Sequence, residues 1–288
     1  MSGKMKAIIL DVDGVIIGEK IGFNSPYPNQ LVTEKLKEIQ DSGIPIILCS
    51  AKPHFAMKKI IVDSNLDNFH ITDGGGVVID PLHNKVLSKH SIPSDIVLRV
   101  VSTLMEANVY TELYTLDNYV IESSQLGRIT DKHMLVIQSP PMQVKSLKSS
   151  LVELEVTKIM PIAKDSEDKI RVDKILQQFV PEVTVSWGVH PVILPLQFGI
   201  VTAPGISKSI AASEILKNIG VSPEETLGVG DSTSDWQFIE SCGYAVAMGN
   251  ASEELKQLVL SKGDEYVYIA PSVDDNGILS VFNHFDIG

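Results

Sequence analysis

The chain has 288 residues, 44% of them hydrophobic and 21% charged, and its 36 acidic residues outnumber 24 Lys and Arg to leave a formal net charge of −12. That profile suits a soluble globular protein of one large or two smaller domains. An acidic chain without a long basic run is a poor nucleic-acid binder, and an apolar run able to span a bilayer is missing, so neither nucleic acid nor membrane is an expected partner.

The opening Met1–Lys6 passes straight into a strand with no cleavage site, so the expected location is the cytoplasm. Lys6–Leu10 is a five-residue run that reads as an interior strand of a parallel sheet, and it delivers Asp11, Val12, Asp13 and Gly14 to the strand's carboxyl end. In open α/β sheets the chemistry sits just past such ends. Two carboxylates this close need a proton or a cation between them. One aspartate then attacks or holds a metal, and the other carries a proton.

Val32, Leu36 and Ile39 mark a helix closed by Gly43, and Ile44–Cys49 is a second strand ending at Ser50. Pro53 suits the first turn of a helix containing Ile60 and Ile61. Phe69–Thr72 and Val77–Asp80 form a hairpin about Asp73–Gly76. From about 84 to 197 helices and hairpins mix. Ser94 is placed to cap a helix carrying Val97, Val100, Val101 and Leu104, while Val144, Leu147 and Leu151 mark another helix and Val172, Ile175, Leu176 and Phe179 a third. Val109–Tyr114, Tyr119–Glu122, Val156–Ile162 and Val183–Trp187 read as strands, and the whole as an antiparallel sheet with helices on one face. Strand and helix alternate again from Phe198: a strand to Thr202, a helix capped by Ser207, a capping-box start at Ser222–Glu225, and strands ending at Asp231 and at Gly249-Asn250. The fold class is therefore α/β: a Rossmann-like parallel-sheet core (1–83 and 198–288) interrupted by an α+β unit (84–197).

Three further pieces accompany the aspartate pair. Ser50, at a strand end before a helix, suits either a helix cap or an anionic oxygen. Lys208 opposes the helix dipole in a first turn, which makes sense if it meets an anion there, though a solvated lysine fits equally. Gly228-Val229-Gly230-Asp231 through Asp235 offers hard oxygen ligands suited to Mg²⁺, with Asp235 alternatively complementing a helix start. Asn250 is a turn asparagine at a strand end within reach of the same crevice. The seven histidines lack zinc-type spacing, and His54 and His190 are expected to make local hydrogen bonds. Tyr110, Tyr114 and Tyr119 are expected to face the inserted sheet. Cys49 and Cys242 read as plain buried thiols.

In this order the four pieces resemble the motifs of the haloacid dehalogenase-like hydrolase superfamily: Asp11-Val12-Asp13-Gly14-Val15, Ser50, Lys208, and Asp231 through Asp235. The inserted unit resembles the type IIB cap of Cof-like and sugar-phosphate phosphatases, which selects the substrate. The resemblance implies that Asp11 attacks phosphorus to form an aspartyl-phosphate. Asp13 would act as acid and then base, and Ser50, Ala51, Lys208 and Asn250 would hold the phosphoryl oxygens. Mg²⁺ would be bound by Asp11, the carbonyl of Asp13, Asp231 and Asp235. The chain departs from the pattern in three places: Val15 replaces the usual threonine, Ser50-Ala51-Lys52 the usual Thr-Gly-Arg, and Ser234 a frequent asparagine. The implied activity is a Mg²⁺-dependent phosphatase for a small phosphorylated metabolite such as a sugar phosphate, acting as a monomer or small homo-oligomer. A phosphomutase and a non-catalytic phosphometabolite sensor are the alternatives.

Overall fold

A computed structural model describes residues 5–151 and 154–288. The expectation of a leaderless start concerns Met1–Lys4, which lie outside the described residues. The helices are α1 (Gln30–Asp41), α2 (His54–Asp63), α3 (Ser94–Glu106), α4 (Arg128–Ile137), α5 (Leu147–Ser150), α6 (Ser166–Leu176), α7 (Lys208–Ile219), α8 (Trp236–Ile239), α9 (Glu253–Leu260) and α10 (Gly277–His284).

The first sheet is parallel throughout. It places β1 (Ala7–Leu10) between β2 (Ile46–Leu48) and β12 (Thr226–Gly230), followed by β13 (Tyr244–Ala247) and β14 (Val267–Ile269). Its strands are buried on both sides, which explains the unbroken apolar runs. Ile8 and Leu10 pack with Leu36 and Ile39 of α1, Ile60 of α2 and Phe282 of α10. Ala7 and Ile9 point the other way, into Ala212 and Ile215 of α7, Phe238 of α8 and Leu255 of α9. A short antiparallel sheet of β3 (His70–Thr72), β4 (Val77–Asp80) and β5 (Lys85–Lys89) continues this layer through a bridge between Cys49 and Ile71. Both cysteines are free and buried.

The second sheet has the order β10 (Thr184–Val189), β11 (Gln197–Thr202), β9 (Lys158–Ala163), β6 (Tyr110–Tyr114), β7 (Tyr119–Glu122), β8 (Met142–Val144). All its pairs are antiparallel except β7 with β8. Helices α3, α5 and α6 cover one face with Val100, Leu104, Leu147, Val172 and Leu176. Against expectation the other face carries a helix too: α4 lays Val136 and Ile137 over Tyr114, Tyr119, Met160 and Phe198.

Several expectations shift. The limits at 83/84 and 197/198 cut through strand pairs, because β5 pairs with β4, and β11 pairs with β9 and β10. An apolar β-branched strand reads alike in either sheet, so periodicity alone could not assign β11. Pro93, not Ser94, stands at the N-cap of α3, and Val144 ends β8 instead of starting a helix. Pro53 is the N-cap of α2, one position before its first turn. Pro223–Glu225 forms only a single 3₁₀ turn before β12.

His70 on β3 ties the two core sheets and has no exposure. The Leu48 N–H donates to its Nδ1 at 3.1 Å, so its Nε2–H is left to donate to the Leu66 carbonyl at 3.1 Å. Burial pushes its pKa down from 6.5 to about 4. The unfolded chain therefore binds this proton first, and stability present above pH 6.5 drains as pH falls toward 4. The expected loss is about 3 kcal/mol over that window. Denaturant midpoints measured across the range should show that slope, and His70→Gln should flatten it.

Candidate active site

Four separate segments meet at the carboxyl edge of the parallel sheet. Asp11 follows β1, Ser50 follows β2, Asp231 follows β12, and Lys208 opens α7 behind Ser207, whose hydroxyl accepts from the Ile210 N–H. Oxygens of Asp11, Asp231 and Asp235 lie within 4.8 Å of one another. The Lys208 ammonium is buried and bridges two of them, donating to Asp11 Oδ1 at 2.9 Å and to Asp235 Oδ1 at 2.7 Å. The second oxygen of Asp235 accepts from the N–H groups of Asp231 and Ser232 and from the Ser232 hydroxyl. Asp235 closes a 3₁₀ turn, Thr233–Asp235, and is fully buried.

Burial and the neighbouring charge of Asp235 raise the Asp11 pKa to about 7, against the pull of Lys208. Burial, Asp235 and Asp11 raise Asp231 well above the carboxylate range. Burial alone would weaken the Lys208 ammonium, but Asp11 and Asp235 more than offset it and hold its pKa well above normal.

Asp13 turns its carboxylate away from this group. Its Oδ1 lies 2.9 Å from Lys52 Nζ and 3.1 Å from His190 Nε2. Burial works against ionisation, yet Lys52 and His190 outweigh it and keep Asp13 below the usual carboxylate range. Two aspartates one residue apart thus sit in opposite environments.

A cleft of about 730 Å³, counting its open mouth, is lined by Asp11, Asp13, Ser50, Ala51, Lys208 and Asp231. A second of about 420 Å³ opens on the Lys52 side of Asp13. Asn250 lines neither. Its amide donates to the Gly14 carbonyl at 2.9 Å and accepts from the Val273 N–H at 2.8 Å, so it braces the Asp11–Gly14 loop instead of facing the phosphoryl seat expected of it.

Sequence reasoning gave His190 only local bonds. It does accept from the Val192 N–H, but its other nitrogen reaches Asp13 from the far sheet. Lys158, unremarked in an apolar strand, is fully buried and joins the two layers, with Nζ 2.7 Å from the Ala51 carbonyl and 2.8 Å from Asp73. It also lies over the Tyr114 ring at 3.7 Å. A lysine inside a strand this apolar was the available signal, since such a group is seldom buried unpaired. His54 Nδ1 has no hydrogen-bond partner among the described residues, contrary to expectation. Tyr110, Tyr114 and Tyr119 pack on the inserted sheet as expected, and none lines either cleft.

Residues 8–282 match the family model for haloacid dehalogenase-like hydrolases. Phosphatase YwpJ of Bacillus subtilis is 24% identical, covering 97% of this chain and 99% of its own length. The 5-amino-6-(5-phospho-D-ribitylamino)uracil phosphatase YwtE of the same organism is 22% identical, covering 95% and 96%. A haloacid dehalogenase-like hydrolase from Bacteroides thetaiotaomicron superposes with a TM-score of 0.81 at 23% identity over 98% of this chain and 99% of the other. The subclass IIB sugar phosphatase BT4131 superposes with a TM-score of 0.77 at 21% identity, covering 98% and 100%. At such identities the structural likeness is one of fold: a Rossmann-like core bearing a cap. With the family model spanning nearly its whole length, the chain belongs to the haloacid dehalogenase-like hydrolases.

Proposed function

We propose that the protein is a phosphatase that hydrolyses a small phosphate monoester through an aspartyl-phosphate on Asp11. The observation that carries this reading is the convergence of Lys208 with Asp11, Asp231 and Asp235 from three distant segments, with one ammonium serving two carboxylates. The relatives named as phosphatases support it. The units are best divided where the chain crosses between the sheets, near 90–93 and again near 203–207, with the intervening part serving as cap.

The donor set tests whether a cation fits. Among the described residues, Asp11, Asp13, Asp231 and Asp235 face two ammonium groups, Lys208 and Lys52. One divalent ion would close that deficit, and an all-oxygen set favours Mg²⁺ over softer metals. Asp11 and Asp231 would hold it, with the Asp13 carbonyl completing the site and Asp235 contributing directly or through water. Bound there, Mg²⁺ would offset the repulsion between an anionic nucleophile and an anionic ester.

Asp11 attacks phosphorus while the bond to the leaving oxygen breaks, and Asp13 supplies that oxygen's proton. Water then attacks the aspartyl-phosphate, Asp13 takes its proton, and phosphate and free Asp11 result. Lys208 and Ser50 position the equatorial oxygens, where phosphoryl transfer gains most. Lys52 and His190 favour ionised Asp13, the form the second step needs.

Phosphate release from a panel of monoesters, with Mg²⁺ and with chelator, tests the proposal. Asp11→Asn should lower kcat by about a thousandfold or more. Release undiminished in that variant, or absent for every ester, would overturn the reading.

Gly14 tests the cation site. Its φ is +80°, and a Cβ there would collide with the Asp231 carboxylate. Gly14→Ala should weaken Mg²⁺ binding by about tenfold or more in calorimetric titration, with the fold retained by circular dichroism. Unchanged affinity would remove Asp231 from the ligand set.

A further inference from the structure

The second cleft meets the first at Asp13. Building on the phosphatase reading, the side of Asp13 that its carboxylate faces is where the departing oxygen must lie, so this cleft receives the leaving alcohol. Its walls are apolar: Val136 and Ile137 of α4, Met160 of β9, and Phe198 and Ile200 of β11. Among the described residues the lining includes no Ser, Thr, Asn, Gln or Arg. Two of its polar side chains are engaged, since the Lys52 ammonium and His190 Nε2 both meet Asp13. A polyol placed here would give up the water on several hydroxyls with one side-chain partner, His133, to replace it.

One polar group at the cleft is built in. His133 on α4 is buried, and its Nδ1–H donates to Glu112 Oε1 at 2.9 Å. Glu112, with no exposure, also accepts from the hydroxyls of Tyr114 at 2.7 Å and Tyr110 at 3.3 Å. The carboxylate fixes the ring's orientation, as a positioned histidine requires. Nε2 is thereby the nitrogen His133 can offer to a ligand. The ring also lies 5.0 Å from that of Phe198. Thioether and aromatic walls favour a flat π-system.

We infer that the leaving alcohol ends in a flat, uncharged aromatic or heteroaromatic ring, seated between Met160, Phe198 and α4 with one edge on His133, and that a bare polyol phosphate is the poorer substrate. The test compares kcat/KM for phenylpropyl phosphate, pyrimidinylpropyl phosphate and ribitol phosphate in Mg²⁺. The ring-ended esters should exceed ribitol phosphate by about tenfold or more, and His133→Ala or Val136→Trp, the latter filling the cleft, should lower that ratio by a similar factor. Phenylpropanol should inhibit the wild type competitively, a readout that needs no variant to fold. Equal or higher kcat/KM for ribitol phosphate, a ratio untouched by both variants, or no inhibition by the alcohol would overturn this inference while leaving the phosphatase standing. Failure to hydrolyse any ester would overturn both.

Discussion

A buried ammonium shared by two buried carboxylates is the constraint around which the catalytic edge is arranged. Lys208 touches Asp11 and Asp235 at once, and removing one member of such a group costs roughly 3–5 kcal/mol because it strands the others away from water. The backbone is shaped to suit. Gly14 gives room to Asp231 and Gly230 gives room to Asp235, in each case where a Cβ would strike the carboxylate. Asn250 pins Gly14 to the segment before α10. The parallel sheet brings β1 and β12 side by side, so Asp11 and Asp231 arrive together from positions more than two hundred residues apart.

The seam between core and cap follows the same logic with fewer apolar groups. Lys158 reaches down to Ala51 and Asp73, His190 reaches down to Asp13, and Lys52 reaches up to the Val136 carbonyl at 3.4 Å. Lys158 and Lys52 are buried ammonium groups, and each is met at the seam by a carboxylate and a backbone carbonyl. Phe55 and Ala56 of α2, packed against the face of the inserted sheet that carries α4, supply apolar contact there.

What the sequence disclosed was what short segments decide. The apolar runs of β1, β2 and β12, the aspartates that follow β1 and β12, and the cap of α7 all depend on neighbours within a few residues, and each stands where its pattern put it. The identity of a strand's sheet is a long-range property: Gln197–Thr202 resembles a core strand in every local respect and pairs with β9 and β10 instead. Helix α4 was passed over because its buried positions include Thr130 and His133 as well as Val136 and Ile137, so its apolar stripe is broken by the polar groups that serve the Glu112 network. Asn250 looked like a free turn residue because its two partners, Gly14 and Val273, lie far from it along the chain.

The contrast between Asp11 and Asp13 shows where such reading must stop. The two share one strand end, and nothing in their immediate neighbours separates an acid from a nucleophile. The separation is made by what each carboxylate meets. Asp11 faces Asp235 and Asp231 with a single shared ammonium, so burial and repulsion prevail and its proton affinity rises. Asp13 faces Lys52 from α2's approach and His190 from the opposite layer, so attraction prevails and its proton affinity falls. One of those two partners, His190, comes from the layer of the second sheet. The chemistry of the second aspartate is thus partly written in a segment nearly two hundred residues away, and the same segment helps to wall the cleft in which the leaving group would sit. His190 thus touches Asp13 and walls the second cleft at once, so on the proposed reading one side chain would bear on both proton transfer and the choice of leaving group.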